Sequence, residues 1–417
     1  MGATANFHSL GGLARKSFYR GTHRLVAPEQ TLARVSRLMP VMGITRIANV
    51  TGLDRIGVPV VMVCRPNSRS LSVSQGKGVD LLAAKASGLM ESLEGYHAEH
   101  ITLQLKLASY EELRYTHTVV EVSELPQPTH GLFHANSPLL WIEGYDLLQE
   151  ELVWIPYEMV HLNYTLPLPP GTGCFVASSN GLASGNHMLE AISHGLCEVV
   201  ERDCCALWTL RNRDVQDRFR LDLDSVNDQE CREVLERCER AGVSVAVWEI
   251  TSDIGIPAFS CMMTECSTDY LRPLPSSNGS GCHPAREVAL LRALTEAAQA
   301  RLTYISGSRD DIFRIDFQHS LSPDIRASVS ARMEIRAPMR SFRNVPTYAS
   351  ETFESDVAWE LERLRSSGVE RTIVVDLTKP EFRIPVARIV IPRLEPFGRC
   401  CDPIHGWRAR AVMEGRA

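Results

Sequence analysis

Carboxylates recur at helical spacing in three stretches of this chain, and their spacing limits the chemistry it could perform. The stretch SSNGLASGNHMLEAISHGLCEVVERD, residues 178–203, opens as a loop of small residues and then becomes periodic. At about 100° per residue, Glu190, Glu198 and Glu201 fall within an arc of roughly 80°, with His194 among them. Leu189, Ile192, Leu196, Val199 and Val200 lie opposite and should pack. Unpartnered like charges this close repel, so a helix fixed in a fold needs cations for them. A divalent metal answers that need, and hard oxygen ligands favour Mg2+. A carboxylate-held Mg2+ usually keeps phosphate oxygens in its shell, and the loop before the helix offers backbone N–H groups to an anion. The plain alternative is a solvated acidic face.

Two further stretches weigh against that alternative. Between Asp80 and His100, Ser87, Glu91 and Glu94 share an arc of about 60°, opposite Ala86, Leu89, Leu93 and Tyr96. Between Pro284 and Tyr304, Arg292, Glu296 and Gln299 share a face opposite Leu290, Leu291, Leu294 and Leu302. Arg292 and Glu296 are also spaced for a simple intrahelical ion pair. A guanidinium aimed at phosphate fits the other two helices better. Facing one another, the three stripes would line a cleft with Glu91, Glu94, Glu190, Glu198, Glu201 and Glu296. Six carboxylates cannot all stay ionised in a dry cleft without metal. The expected occupant is a nucleoside triphosphate with more than one Mg2+, with Asn186, Arg202 and Arg292 on its phosphates. The chain has no GxxxxGK[ST] loop and no protein-kinase signature set, so the site would be a non-standard one.

The elements that must position these residues form a mixed order, which predicts an α+β fold. Residues 1–23 read as a loose leader, and Pro28 opens a helix. Residues 44–50 and 58–64 read as a hairpin, and GKG at 76–78 as a turn before an Asp80-capped helix. Short strands around Trp141 and Trp154 precede the central stretch, both indoles being expected in the core. A helix over 228–241, strands over 243–250 and 256–264, a helix over 356–367 and strands over 372–377 and 386–391 complete the expectation. No internal repeat is legible.

Composition bounds the partners. The 417 residues are 44% hydrophobic, enough for one large domain or two to three ordinary ones. A net charge of −6 without a basic block argues against nucleic acid, and no apolar run is long enough for a membrane span. None of the 12 cysteines forms a CxxC, and the adjacent pairs Cys204–Cys205 and Cys400–Cys401 make poor chelates. Scattered reduced thiols read as cytoplasmic, with Cys64, Cys174, Cys197 and Cys261 filling core space. There is no HExxH; His187 and His194, seven apart on the central helix, leave zinc as a lesser alternative.

The segments QGKG, ASGLMESLEGY, SNGLASGNHMLEAISHGLCEVVERD and EVALLRALTEAAQAR, in that order, resemble the YcaO family over roughly residues 60–395. The resemblance implies a YcaO-type domain with mixed sheets and helices lining an ATP/Mg2+ cleft. Residues 1–59 would contribute to the nucleotide site and 396–417 would form a tail. It implies nucleotide contacts from Arg24, Thr31, Ser87, Ser184, Asn186, Arg202, Arg292 and Gln299. It implies Mg2+ ligands among Glu91, Glu94, Glu190, Glu198, Glu201 and Glu296, with Glu91, Glu198, Glu201 and Arg292 catalytic. Arg24 and Thr31 stand where some members have Lys and Ser. By resemblance the chain phosphorylates a backbone amide oxygen of a peptide or protein substrate with ATP. A neighbouring Cys, Ser or Thr as nucleophile then gives an azoline, and sulfide gives a thioamide. Cyclodehydratase members end in a Pro-rich PxPxP-like tail, whereas this chain ends MEGRA. YRGTHRLVAPEQTL and IVIPRLEPF are more similar to the YcaO proteins that work with a TfuA partner in thioamide formation. Thioamide formation with a TfuA-like partner and a sulfide source is therefore expected, with azoline formation second; a homodimer is compatible with such a fold, though nothing in the sequence shows one. A non-catalytic ATP-binding adaptor is a third reading, and a carboxylate–metal hydrolase working without ATP a weaker one.

Overall fold

A computed structural model describes residues 14–265, 274–334, 339–398 and 403–416. Pro28 opens α1 (Pro28–Val35), where its fixed φ and missing N–H suit the first turn. β1 (Arg46–Asn49), β2 (Val60–Cys64) and β3 (Val73–Lys77) then form an antiparallel sheet in that order. The expected hairpin is present. Gln75 to Lys77, however, are strand residues rather than a turn, because β3 continues the sheet on the far side of β2. Asp80 caps α2 (Leu81–Glu99) by accepting the Ala83 N–H at 2.9 Å.

β4 (Leu105–Ala108), α3 (Tyr110–Leu113), β5 (Leu139–Asp146), β6 (Glu151–Pro156) and β7 (Leu182–Ser184) lead to the central helix α4 (Met188–Leu210). The small-residue loop before α4 thus contains a short strand. After α5 (Arg213–Asp217), β8 (Leu221–Asp222) and α6 (Gln229–Arg240) comes a second antiparallel sheet of β9 (Val243–Glu249), β10 (Ala258–Glu265) and β11 (Ser277–Cys282). α7 (Arg286–Ser306) follows and stops at Gly307, whose φ of 58° is the left-handed geometry glycine adopts readily. α8 (Arg314–Ser320), α9 (Pro323–Met333), β12 (Arg340–Ser341), α10 (Phe353–Ser366), β13 (Ile373–Asp376), β14 (Val386–Val390) and α11 (Trp407–Met413) complete the chain. Among the described residues no helix is long and apolar enough to cross a membrane.

A six-stranded sheet, ordered β4-β5-β13-β14-β7 with β6 paired to β5, separates two cores. Alternation along β14 shows this directly. Val386 and Val390 join Leu89 and Leu93 of α2 together with the buried Trp141 and Trp154. Ala387 and Ile389 join Ile192, Leu196 and Val200 of α4. A third core places Leu290 and Leu294 of α7 against Phe259 and Cys261 of β10. The thiols of Cys174, Cys197 and Cys261 are buried as expected, and that of Cys64 is half-buried.

Two features depart from the sequence expectation. The described part of the expected leader is packed: Ala14 and Lys16 are buried, and Lys16 Nζ pairs with Asp356 of α10 at 2.5 Å. Residues 1–13 lie outside the described residues. At the other end, Arg408 of α11 forms a buried bidentate pair with Asp203 of α4, at 3.0 Å from Nε and Nη2. The last helix is thereby fastened to the central one.

A structural repeat also emerges. β1–β3 with α2, and β9–β11 with α7, are each a three-stranded antiparallel sheet followed by a helix. In both, glycines of the last strand let the helix backbone approach closely. A Cβ on Gly76 would collide with the backbone of Ala84 and Gly88, and one on Gly281 with that of Ala289 and Ala293. Gly76 precedes Glu91 by the same distance along the chain as Gly281 precedes Glu296. Gly281→Ala should therefore lower stability by about 1–3 kcal/mol through overpacking. Gly52→Ala, where a Cβ meets nothing within 4 Å, should stay within about 0.5 kcal/mol in the same unfolding measurement.

His97 of α2 is fully buried, with its Nδ1 2.8 Å from the Leu93 carbonyl oxygen. Burial lowers its pKa from 6.5 to about 4. The folded chain keeps this ring neutral where an unfolded one binds a proton, so it removes stability as pH falls from 6.5 towards 4. Relative to wild type, His97→Gln should show a flatter stability curve across that window, by up to about 1.4 kcal/mol per pH unit in chemical denaturation.

Candidate active site

The polar faces of α2, α4 and α7 meet, and each sends one glutamate to the strand that leads into the next helix. Glu94 of α2 accepts from the Ser184 N–H at 2.8 Å and its hydroxyl at 2.6 Å, at the end of β7. Glu201 of α4 accepts from the Ser280 hydroxyl at 2.8 Å, on β11. Glu296 of α7 accepts from Lys77 Nζ at 2.8 Å, at the end of β3. The three contacts close a ring: α2 to β7, α4 to β11, α7 to β3. Gln299 reinforces the last contact, accepting from Lys77 Nζ at 3.2 Å and donating to the Gln75 carbonyl at 2.8 Å. Ser87 accepts the Lys77 N–H at 3.4 Å, and Arg202 lies 3.4 Å from Glu201.

A second cluster gathers at the start of α4. Glu190 is buried and accepts the backbone N–H groups of Leu25 at 3.3 Å and Asn186 at 3.2 Å. Arg24 stands 3.6 Å from the same carboxylate. The Asn186 amide donates to the Thr31 hydroxyl at 3.0 Å, and its oxygen accepts from Arg34 at 3.1 Å. Arg292 does not pair with Glu296. It donates to the Cys282 carbonyl at 3.2 Å, while Glu296 is taken by Lys77 across the ring. The intrahelical pairing is thus overridden by a long-range partner.

Crowding of acids in this cleft shifts their proton affinities. Burial, reinforced by Glu91 and Glu198, raises Glu94 to about 8 against the hydrogen bond from Ser184. Burial raises Glu198 to about 7 although Arg202 opposes it. Burial likewise raises Glu201 against Arg202, and Glu190 against Arg24. Glu91 is exposed on α2, yet desolvation by the surrounding protein still raises its carboxyl against Lys77. In Glu296 burial acts upward, but Lys77 and Arg202 together outweigh it and the carboxyl is lowered. His194 is held neutral by burial and then by the charges of Arg292, Arg24 and Lys77.

This donor set fits a hard cation. The acids are all oxygen donors, and burial makes their negative charge costly unless more positive charge enters. Among the described residues no three acids, imidazoles or thiols close on a common point as a finished metal cage. Arg24, Lys77 and Arg202 lie among the acids instead, so the cleft carries both anionic and cationic groups. The zinc alternative loses its geometry, because His187 is used as the cap of α4, accepting the Leu189 N–H at 3.2 Å, and His194 is crowded by cations. Lys77 and Ser280 were not singled out from the sequence. The lysine in QGKG was the available signal, hidden by reading that segment as a turn.

The fold and its acid-lined cleft define an α+β protein without a P-loop. The family model described as "YcaO cyclodehydratase, ATP- and Mg2+-binding" matches residues 75–395, and the chain belongs to the YcaO family. ATP and Mg2+ are accordingly its ligands. It is 36% identical over 376 residues to an uncharacterized protein in the tfuA 3′ region of Rhizobium leguminosarum bv. trifolii, covering 89% of this chain and 88% of that one. It is 32% identical over 379 residues to an uncharacterized protein of Methanothermobacter thermautotrophicus, covering 89% of this chain and 95% of that one. The fold matches a heterocyclase solved in complex with substrate and cofactor, with a TM-score of 0.77 and 24% identity, over 93% of this chain and 54% of that one. It also matches YcaO from Methanopyrus kandleri bound with AMPPCP and Mg2+, with a TM-score of 0.71 and 22% identity, over 91% of this chain and 94% of that one.

The ring contact between Lys77 and Glu296 is open to a direct test. Lys77→Met and Glu296→Gln should each destabilise the protein, and the double variant should be less destabilised than their sum. The expected coupling is about 1–2 kcal/mol in a double-mutant cycle of unfolding free energies.

Proposed function

We propose that this chain is an ATP-dependent enzyme that converts a peptide backbone amide to a thioamide, using sulfide as the nucleophile and a TfuA-like protein as partner. The observation that carries the thioamide branch is the 36% identical relative in the tfuA 3′ region. The azoline-forming reading is kept second, because the matched heterocyclase and the family description both favour cyclodehydration. Buried free thiols support a cytoplasmic setting.

In this reading Glu91, Glu94, Glu190, Glu198, Glu201 and Glu296 hold Mg2+, and Arg24, Thr31, Ser87, Ser184, Asn186, Arg202, Arg292 and Gln299 hold the nucleotide. The segment before β1 then belongs to the nucleotide site through Arg24 and Thr31. Bound ATP and Mg2+ would supply the phosphoryl group that turns the amide oxygen into a leaving group, and the charge compensation for its transfer. The protein's own part is positioning and electrostatics. Glu91, Glu198 and Glu201 fix the acid face on two helices that cannot slide, because their neighbours in the ring are bonded across to β7 and β11. Arg202 and Arg292 bring positive charge to where negative charge develops. Lys77 and Glu296 release each other only when other charges replace them.

The test is intact mass of candidate substrate peptides after incubation with protein, ATP, Mg2+ and sulfide, with and without the partner. Exchange of oxygen for sulfur is expected. Loss of one water would favour the azoline instead. ATP binding without turnover or mass change would favour the adaptor. Glu201→Gln should lower modification by about 100-fold or more while the fold survives. It should also abolish the rise in melting temperature that Mg-ATP gives the wild type, about 2.7 kcal/mol of stabilisation at a hundredfold excess over Kd.

A further inference from the structure

Arg388 lies on β14 and is only 1% exposed, yet it has no acidic partner. Its Nη2 donates to the Ser178 carbonyl at 2.7 Å. Its Nε and Nη1 are buried with no hydrogen-bond partner, and among the described residues it enters no ion pair with a carboxylate. Burial lowers its pKa to about 10, with Tyr164 and Glu198 acting against that. A buried cation without a counter-charge is costly, and among the described residues the guanidiniums nearest to it in burial each have an acid: Arg65 has Glu99, Arg301 has Asp54 at 2.8 Å, and Arg408 has Asp203.

The guanidinium lines a small cavity. Asn180 also lines it, and its side-chain oxygen is buried and unpartnered. Because an amide can be turned about, the same position can present an NH2 donor instead. The rest of the wall is apolar and soft, with Pro126, Met159, Val176 and Leu394. The cavity measures about 30 Å³, room for about two water-sized atoms. Val199 lines the cavity on the same turn of α4 that carries Glu198 into the cleft, so the cavity backs onto the acid face.

We propose that Arg388 and Asn180 form a binding site for a small monoanion, and that its occupant is hydrosulfide. The choice of hydrosulfide over chloride rests on the thioamide reading, which requires such an anion, and on the polarisable wall with the Met159 thioether. One hydrosulfide supplies the charge that Arg388 lacks and accepts from its free N–H groups. In the overall exchange the C–O bond of the activated amide breaks and a C–S bond forms. The amide oxygen leaves on phosphate with the hydrosulfide proton, and the amide N–H is restored. No oxidant or reductant is needed.

Two measurements test the site, using Arg388→Gln, and Asn180→Ala should Arg388→Gln not fold. The first is the melting temperature of the whole protein titrated with sodium hydrosulfide against sodium chloride at fixed ionic strength, without peptide or ATP. Wild type should be stabilised by hydrosulfide more than by chloride, and the variant by neither. An equal response to both salts would make this an ordinary halide pocket, and no response would mean that water fills it. Either result overturns the proposal. The second is the KM for sulfide in thioamide formation. Loss of a charged hydrogen bond should raise it about tenfold or more in the variant, with the KM for ATP within about twofold of wild type. Wild type that forms thioamide, with an unchanged sulfide KM in the variant, sinks the site and leaves the reaction standing. Hydrosulfide binding that Arg388→Gln abolishes, in a protein that makes no thioamide, sinks the reaction and leaves the anion site standing.

Discussion

Everything in this structure answers to one electrostatic constraint, that several glutamates must share a cleft largely withdrawn from water. Each of three helices has a well-packed apolar back, so none can rotate its acids out to solvent. The fold distributes the burden around a ring. Glu94 is satisfied by Ser184, Glu201 by Ser280 and Glu296 by Lys77, each from the element that precedes the next helix. Neutral hydroxyls at two of the three junctions leave those acids with raised proton affinities, and at the third the Lys77 ammonium, helped by Arg202, brings its acid down. The cleft is therefore left short of positive charge by construction, which is the condition under which a YcaO protein recruits Mg2+ and a nucleotide.

The glycines belong to the same constraint. Ring contacts made by short hydroxyls require each helix to lie close to its strand. Gly76 and Gly281 permit that approach for α2 and α7, and a larger residue at either place would move a helix away from its partner acid or cation. The buried pair of Arg408 and Asp203 acts at the other end of the same problem. It fixes α4 two residues beyond Glu201, so that the helix carrying most of the acids cannot shift along its axis.

How much of this was legible in the sequence follows from the range of each interaction. Helical period alone placed Glu91 and Glu94, then Glu190, Glu198 and Glu201, then Glu296 on polar faces, because a period of 3.6 is written locally. The cap at Asp80 was equally local. The partners were not. Arg292 looked like the natural mate of Glu296 at one helical turn, and the true mate, Lys77, lies 219 positions away. QGKG read as a turn because glycine and lysine are poor strand formers, while in the fold they close the edge of a sheet against which α2 must pack. The repeat escaped notice since only the interval from glycine to glutamate survives in it. Arg388 escaped notice because a single arginine in an apolar strand carries no period at all.

The ring has a consequence for how the protein is made. Its closing contact joins Lys77 to Glu296, so it cannot form until the ribosome has delivered nearly three quarters of the chain. Until then only the two hydroxyl junctions, Glu94 with Ser184 and Glu201 with Ser280, can have closed. A translation product that ends between Ser280 and Glu296 keeps those two junctions but leaves Lys77 without its acid and the ring open.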